Sequence, residues 1–229
     1  MQPDKFGVLM SEYITVKNEY VDEITEKKSR FIATIRHVEN EEEALSFIAE
    51  MKKKYWDARH NCSAYIVVEE STDASGEKKI FKDIEKCSDD GEPSKTAGSP
   101  MLDVIRGAGM KNTAVVVTRY FGGVLLGTGG LVRAYSQAAT KAVEGAEKVC
   151  MRLLNKVMVS TDYTSYGKLS YIAAEDNIII KDTVFTENVE VTCLCDDVAF
   201  GRLRAKMAEI TAGKCKTELV ENSYYQVEI

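Results

Sequence analysis

The chain has 229 residues, 45% of them apolar and 29% charged, with a formal net charge of −6. That length suits two domains, and the apolar share is enough to fill their cores. The acid excess argues against a protein coated with basic surface for bulk nucleic-acid binding, so any contact with RNA needs a local patch.

No apolar run approaches the ~20 residues of a membrane span. The run Thr113–Val117 has the length of a buried strand. The first 20 residues carry Asp4, Lys5, Glu12 and Lys17 in place of a signal peptide's apolar stretch. The expected location is therefore cytoplasmic, with no membrane partner. The six cysteines, which form no paired CxxC clusters, are expected to be reduced thiols.

Glu12 to Val38 reads as two strands, one at Tyr13–Val16 and one at Arg30–Arg36. Asn40 is a good N-cap, and Glu41, Glu42 and Glu43 suit the positive end of a helix dipole. Leu45, Ile48, Ala49 and Met51 supply the apolar face of a helix over Glu41–Tyr55. Cys62–Val68 is a strand, residues 69–79 a polar loop, and Ile80–Cys87 a further short strand. A turn-rich run, Ser88–Pro93, follows. Pro100–Gly107 can form a helix, and Asn112–Tyr120, β-branched and apolar, is a central strand. A glycine loop spans Gly122–Gly130 and leads into an alanine-rich helix over Leu131–Val149.

The composition changes near Met151, which divides the chain into domains at 1–150 and 151–229. From there the order is strand (Leu154–Thr161), helix (Thr164–Ala174), strand (Asn177–Thr186), strand (Glu190–Cys195), helix (Ala199–Thr211) and strand (Thr217–Ile229). This is the ferredoxin-like β-α-β-β-α-β pattern. The fold class is α+β.

Two segments draw attention by their chemistry. Between a strand and a helix lies Gly122-Gly123-Val124-Leu125-Leu126-Gly127-Thr128-Gly129-Gly130. Its glycines let backbone approach a ligand closely, and free N–H groups at the start of the next helix favour an anion. Arg119 enters this loop and Arg133 follows it; both have the fork that pairs with phosphate or carboxylate. The candidate anion or nucleic-acid-binding residues are thus Arg119, Gly122, Gly123, Gly127, Gly129, Gly130 and Arg133. There is no Gly-Lys-Ser/Thr ending and no GxGxxG with a following acid, so neither standard nucleotide motif is present. A structural reading stays open beside this one: the glycines let a helix pack tightly on a sheet.

The second segment is Asp89-Asp90-Gly91-Glu92-Pro93-Ser94-Lys95-Thr96-Ala97-Gly98. Its carboxylates can hold a hard cation, but capping and turn formation are the commoner use of such residues. His60 and Cys62 share a strand face upstream, yet no fourth zinc ligand is evident. No metal and no cofactor is assigned. If the protein is an enzyme, His60, Asp89, Asp90 and Glu92 are the candidates for acid/base work.

These strings together resemble the YigZ/IMPACT family. The matching runs are Ser88–Ser94, Thr96–Pro100, Arg119–Gly123 and Leu126–Tyr135, with Lys28–Phe31 and Ala58–Ala64 upstream. The resemblance implies an N-terminal domain with the fold of ribosomal protein S5 domain 2, a left-handed βαβ arrangement seen also in elongation factor G. It implies a ferredoxin-like C-terminal domain as well. Eukaryotic relatives regulate translation by competing for the activator of a starvation-sensing kinase; the bacterial ones bring no settled activity. Lys95 stands where the family usually has glycine.

The expected function is that of a translation-linked binding or regulatory protein, with RNA, the ribosome or a translation-associated protein as partner and nothing that singles out DNA. The alternative is an enzyme acting on a phosphorylated or carboxylated small molecule. It gains if His60 and the acidic turn converge on the glycine loop in one pocket. It loses if the carboxylates cap helices and His60 lies against backbone.

Overall fold

A computed structural model describes residues 12–72 and 79–227. The chain divides into two compact units at the Cys150–Met151 bond.

The first unit holds β1 (Glu12–Val16), β2 (Tyr20–Glu26), β3 (Ser29–His37), α1 (Glu41–Lys54), β4 (His60–Thr72), β5 (Lys79–Ser88), α2 (Gly98–Gly107), β6 (Thr113–Tyr120) and α3 (Thr128–Gly145). Five strands form a sheet in the order β2-β3-β6-β4-β5, every neighbouring pair antiparallel. β3 and β4, joined by α1, both pair with β6 and so run parallel to each other on either side of it.

β6 is central, as its unbroken apolar run predicts for a strand buried on both faces. Val115 and Val117 face α2 and α3, where they meet Met101, Ile105, Ala134 and Ala138. Ala114 and Val116 point the other way, into a core with Phe47 and Met51 of α1. The unit is therefore three layers: α1, the sheet, then α2 with α3. Asn40 caps α1 as expected, its side chain accepting from Glu43 N–H at 2.9 Å.

Two strands precede β4 in the sequence reading, whereas the structure has three. β2, YVDEITE, is an acid-rich edge strand with only Ile24 buried, so its apolar pattern is faint. Its hairpin to β3 turns at Lys27 and Lys28, with φ of 45° and 67° and Glu26 paired to Ser29. This is the tight turn that Asn-Gly usually announces, made here by two lysines. β4 also runs on to Thr72, beyond the expected loop start at residue 69; residues 73–78 of that loop lie outside the described residues. α3 starts at Thr128, so Gly129 and Gly130 belong to its first turn.

The second unit contains β7 (Lys148–Thr161, of which 148–150 belong to the first unit), α4 (Tyr163–Glu175), β8 (Ile179–Phe185), β9 (Val189–Cys195), α5 (Asp197–Ile210) and β10 (Lys216–Val227). The strands lie in the order β10-β7-β9-β8, and β7/β9 and β9/β8 are antiparallel. The ferredoxin-like element order is thus present. Val157, Val159, Val191 and Cys193 alternate onto one face and pack against Leu169 of α4 and Leu203 and Met207 of α5. Asp162 and Asp196 cap the two helices, each accepting a backbone N–H at 2.7 Å.

Candidate functional site

The acidic turn joins β5 to α2, and its carboxylates are all engaged inside the first unit. Asp89 reaches forward to α2: Oδ1 accepts from Ala97 N–H at 3.0 Å and Gly98 N–H at 2.9 Å, and Oδ2 from Lys95 N–H at 2.7 Å. Ala97, the residue at the helix start, offers no capping side chain, so Asp89 supplies the cap from eight residues away. Burial pushes the Asp89 carboxyl up, but the N–H groups of Gly98, Lys95 and Ala97 outweigh it and hold it below the usual range.

Asp90 binds in the opposite direction. Oδ2 accepts from Asn61 N–H at 2.8 Å and Oδ1 from Lys52 Nζ at 2.6 Å. Here too burial raises the carboxyl, and the Lys52 ammonium with the Asn61 N–H brings it below the usual range. His60 Nδ1 lies 2.9 Å from the Asp90 carbonyl oxygen, and the Cys62 thiol donates to the Asp89 carbonyl at 3.0 Å. Burial pushes that thiol up to about 12, so Cys62 is no ready nucleophile.

Glu92 is buried at 8% exposure and occupies the centre of this network. Its Oε1 accepts from Arg119 Nη1 at 2.6 Å and from Tyr135 Oη at 2.8 Å, with His60 Nε2 at 3.9 Å. Sheet register explains the meeting. Phe31 of β3, Arg119 of β6 and His60 of β4 form one row across three strands. The Arg119 guanidinium lies 5.5 Å from the Phe31 ring centre and 5.7 Å from that of Phe121, and Phe31 meets Tyr135 edge-on at 5.1 Å. Arg119 Nε is buried and has no acceptor among the described residues.

This corrects the expectation that Arg119 offers a fork to an external anion. Its charge is balanced within the domain by Glu92, and it is 6% exposed. The candidate acid/base set does converge, around Glu92. However, Asp89 caps a helix, Asp90 and Glu92 are paired, and His60 bonds to backbone. Tyr135 and Asn61 belong to the same network; Asn61 Oδ1 accepts from Thr118 Oγ1 at 2.7 Å. Their partners are 43 and 57 residues away in the chain, so spacing along the sequence does not reveal them. The one local signal is that Tyr135 falls four residues after Leu131 on the apolar face of α3.

The glycine loop lies on the same unit. Gly122 packs on the β2–β3 turn: a Cβ there would sit 2.0 Å from the Lys28 carbonyl group. Its N–H donates to Ser29 Oγ at 3.1 Å. Close packing is thus the evident role of this glycine. Gly127, at φ 73°, opens α3 without a capping side chain, and no acid stands in the first helical turn. The N–H groups of Thr128, Gly129 and Gly130 precede the first hydrogen bond of the helix, Leu131 N–H to Gly127 O.

Beside this helix start is a depression of about 200 Å³ lined by Glu26, Lys27, Leu126, Gly130, Arg133 and Gln137, among others. Lys27 and Arg133 are exposed and form no ion pair among the described residues. Leu125 is 82% exposed, Phe121 48% and Val124 42%. His60, Asp89, Asp90 and Glu92 do not line the depression. The acid/base cluster and the helix-start surface meet at Phe121, whose ring centre lies 5.7 Å from the Arg119 guanidinium that Glu92 holds. Among the described residues no group of three or more His, Cys, Asp or Glu side chains is arranged to hold a metal ion. No described helix is long and apolar enough to cross a membrane.

The class defined so far is a two-unit α+β protein with a layered N-terminal domain and a ferredoxin-like second domain. Comparison with known proteins agrees. Residues 27–143 match the Impact N-terminal domain, and residues 159–214 match a domain of unknown function, DUF1949. The chain is 38% identical to IMPACT family member YvyE of Bacillus subtilis (strain 168), over 95% of each chain. It is 42% identical to IMPACT family member YigZ of Escherichia coli (strain K12), over 88% of this chain and 93% of that one. A crystal structure described as that of a hypothetical protein is 27% identical with a TM-score of 0.59, covering 93% of this chain and 99% of the other. The chain belongs to the IMPACT family.

Proposed function

We propose that this chain is a translation-linked binding and regulatory protein of the cytoplasm. In this reading it contacts RNA, the ribosome or a translation-associated protein through residues 121–130 together with Lys27 and Arg133. The observation that carries this is the division of labour in the first unit. Every carboxylate of the acidic turn is consumed by backbone N–H groups or cations within the domain. Two exposed cations without ion-pair partners among the described residues instead flank an uncapped helix start. Such a surface attracts anionic groups. The exposed Phe121, Val124 and Leu125 add the apolar area that macromolecular contacts use. Family membership supplies the expectation of a link to translation.

Co-sedimentation with ribosomes tests the proposal. The wild-type chain is expected to pellet in low salt and to be released in high salt, as phosphate contacts are. The Lys27→Glu/Arg133→Glu variant is expected to stay in the supernatant. Absence of the wild-type chain from ribosomal and RNA fractions in low salt overturns the proposal.

A further inference from the structure

Trp56 is the one tryptophan of the chain, and it is 82% exposed. It stands in the turn after α1, where Ala58 N–H donates to Tyr55 O at 3.0 Å. Tyr120 Oη donates to Asp57 Oδ1 at 2.8 Å, which ties that turn to the end of the central strand β6. The indole is therefore carried on fixed backbone while its ring contributes little to any core. An indole left in water forgoes roughly 25 cal/mol for each Å² it would otherwise bury.

The surroundings of the ring are basic. Four cations, Lys52, Lys53, Lys54 and Arg59, and a single acid, Asp57, lie between residues 52 and 59 of a chain whose net charge is −6. Lys52 is held by Asp90. Lys53, Lys54 and Arg59 are exposed and form no ion pair among the described residues. The lysines complement the negative end of the α1 dipole, but Arg59 lies beyond the helix and that account does not reach it.

We propose that Trp56, Lys53, Lys54 and Arg59 form a binding surface for single-stranded polynucleotide. The indole stacks on an unpaired base, and the cations meet the flanking phosphates. An exposed ring beside Lys53 and Arg59, with the Lys54 ammonium 5.3 Å from the Tyr55 ring centre, matches the alternation of base and phosphate along a single strand. A protein partner would call for a broader apolar centre with fewer charges. A duplex keeps its base faces stacked and offers them to no side chain. The proposal does not rest on the glycine loop, since none of these residues lies in 121–130.

Because Trp56 is the only tryptophan, intrinsic emission reads the surface directly. Titration of the full chain with oligouridylate or oligodeoxythymidylate in low salt is expected to quench that emission, and added salt to restore it. With a labelled oligonucleotide read by anisotropy, Trp56→Ala is expected to weaken binding about tenfold, the size of one stacked base. Lys53→Glu/Arg59→Glu is expected to weaken binding and flatten its salt dependence. Unchanged circular dichroism shows that both variants remain folded. Tighter binding of RNA, or equal binding of both strands, supports the proposal and tells the two sources apart.

Preference for duplex, or unaltered affinity in both variants, overturns it. So does loss of ribosome pelleting in Trp56→Ala without any quench by oligonucleotides, which would make the surface protein-directed. The Lys27→Glu/Arg133→Glu variant is expected to retain the quench, so failure of the glycine-loop reading is distinguishable from failure here.

Discussion

Arg119 Nη1 donates to Glu92 Oε1 at 2.6 Å, with the two side chains 7% and 3% exposed. The pair joins the acidic turn to the central strand, and the Tyr135 hydroxyl joins α3 to the same oxygen. Removing one member of a buried pair leaves an uncompensated charge, which costs ~3–5 kcal/mol. Replacing both by apolar residues of similar volume is often close to neutral. Arg119→Met alone and Glu92→Leu alone are therefore expected each to lower the urea midpoint strongly. The double variant is expected to recover much of the loss, although the Tyr135 hydroxyl then lacks its acceptor. A double-mutant cycle in urea measures this, and additive losses would refute the coupling.

Asp89 makes the turn sensitive to acid. Its folded-state carboxyl titrates below the ordinary value: burial opposes the charge, but the N–H groups of Gly98, Lys95 and Ala97 more than compensate. A lowered carboxyl contributes stability that is present above its unfolded pKa of about 3.9 and is lost as pH falls through the folded value. Asp89→Asn removes the charge while keeping the shape, and is expected to cost about 1–3 kcal/mol at neutral pH. It is also expected to flatten the decline in stability below about pH 4. Urea midpoints of wild type and variant from pH 7 down to pH 3 check both effects. An equally steep acid decline in the variant would assign the acid sensitivity to other carboxylates.

What could be read from the chain alone follows from how local each signal is. The N-cap at Asn40 and the triple glutamate after it act within one helical turn, and α1 begins where they place it. The apolar run of β6 is complete in itself, because a strand buried on both faces needs no alternation. β2 is less legible: as an edge strand it buries only Ile24, and its turn uses Lys27 and Lys28 where Asn-Gly is the usual signal. The site is less legible still. That His60 bonds to the Asp90 carbonyl depends on the fold, since 30 residues separate the two. That Arg119 turns inward depends on Glu92, which the fold brings from 27 positions away. An arginine beside a glycine loop looks the same in sequence whether it faces a ligand or a buried carboxylate.

Lys95 provides a last measurable consequence. The resemblance implies a glycine at this position, and the lysine here has a glycine-like conformation, with φ at 62°. The conformation is held because Lys95 N–H is bound to Asp89 Oδ2 at 2.7 Å, one of three N–H groups that share that carboxylate. A residue with a Cβ bears roughly 1–2 kcal/mol in the left-handed region. Glycine avoids that strain but loses about 0.5–1 kcal/mol through its freer unfolded chain. The side chain is exposed, so little packing is at stake. Lys95→Gly is therefore expected to stabilise the first unit by roughly 0.5–1 kcal/mol. Lys95→Val, whose branched Cβ tolerates positive φ poorly, is expected to destabilise it. Urea unfolding of the two variants against wild type decides the matter: a Lys95→Gly chain less stable than wild type would mean that the lysine is not strained and that its side chain contributes more than its exposure implies.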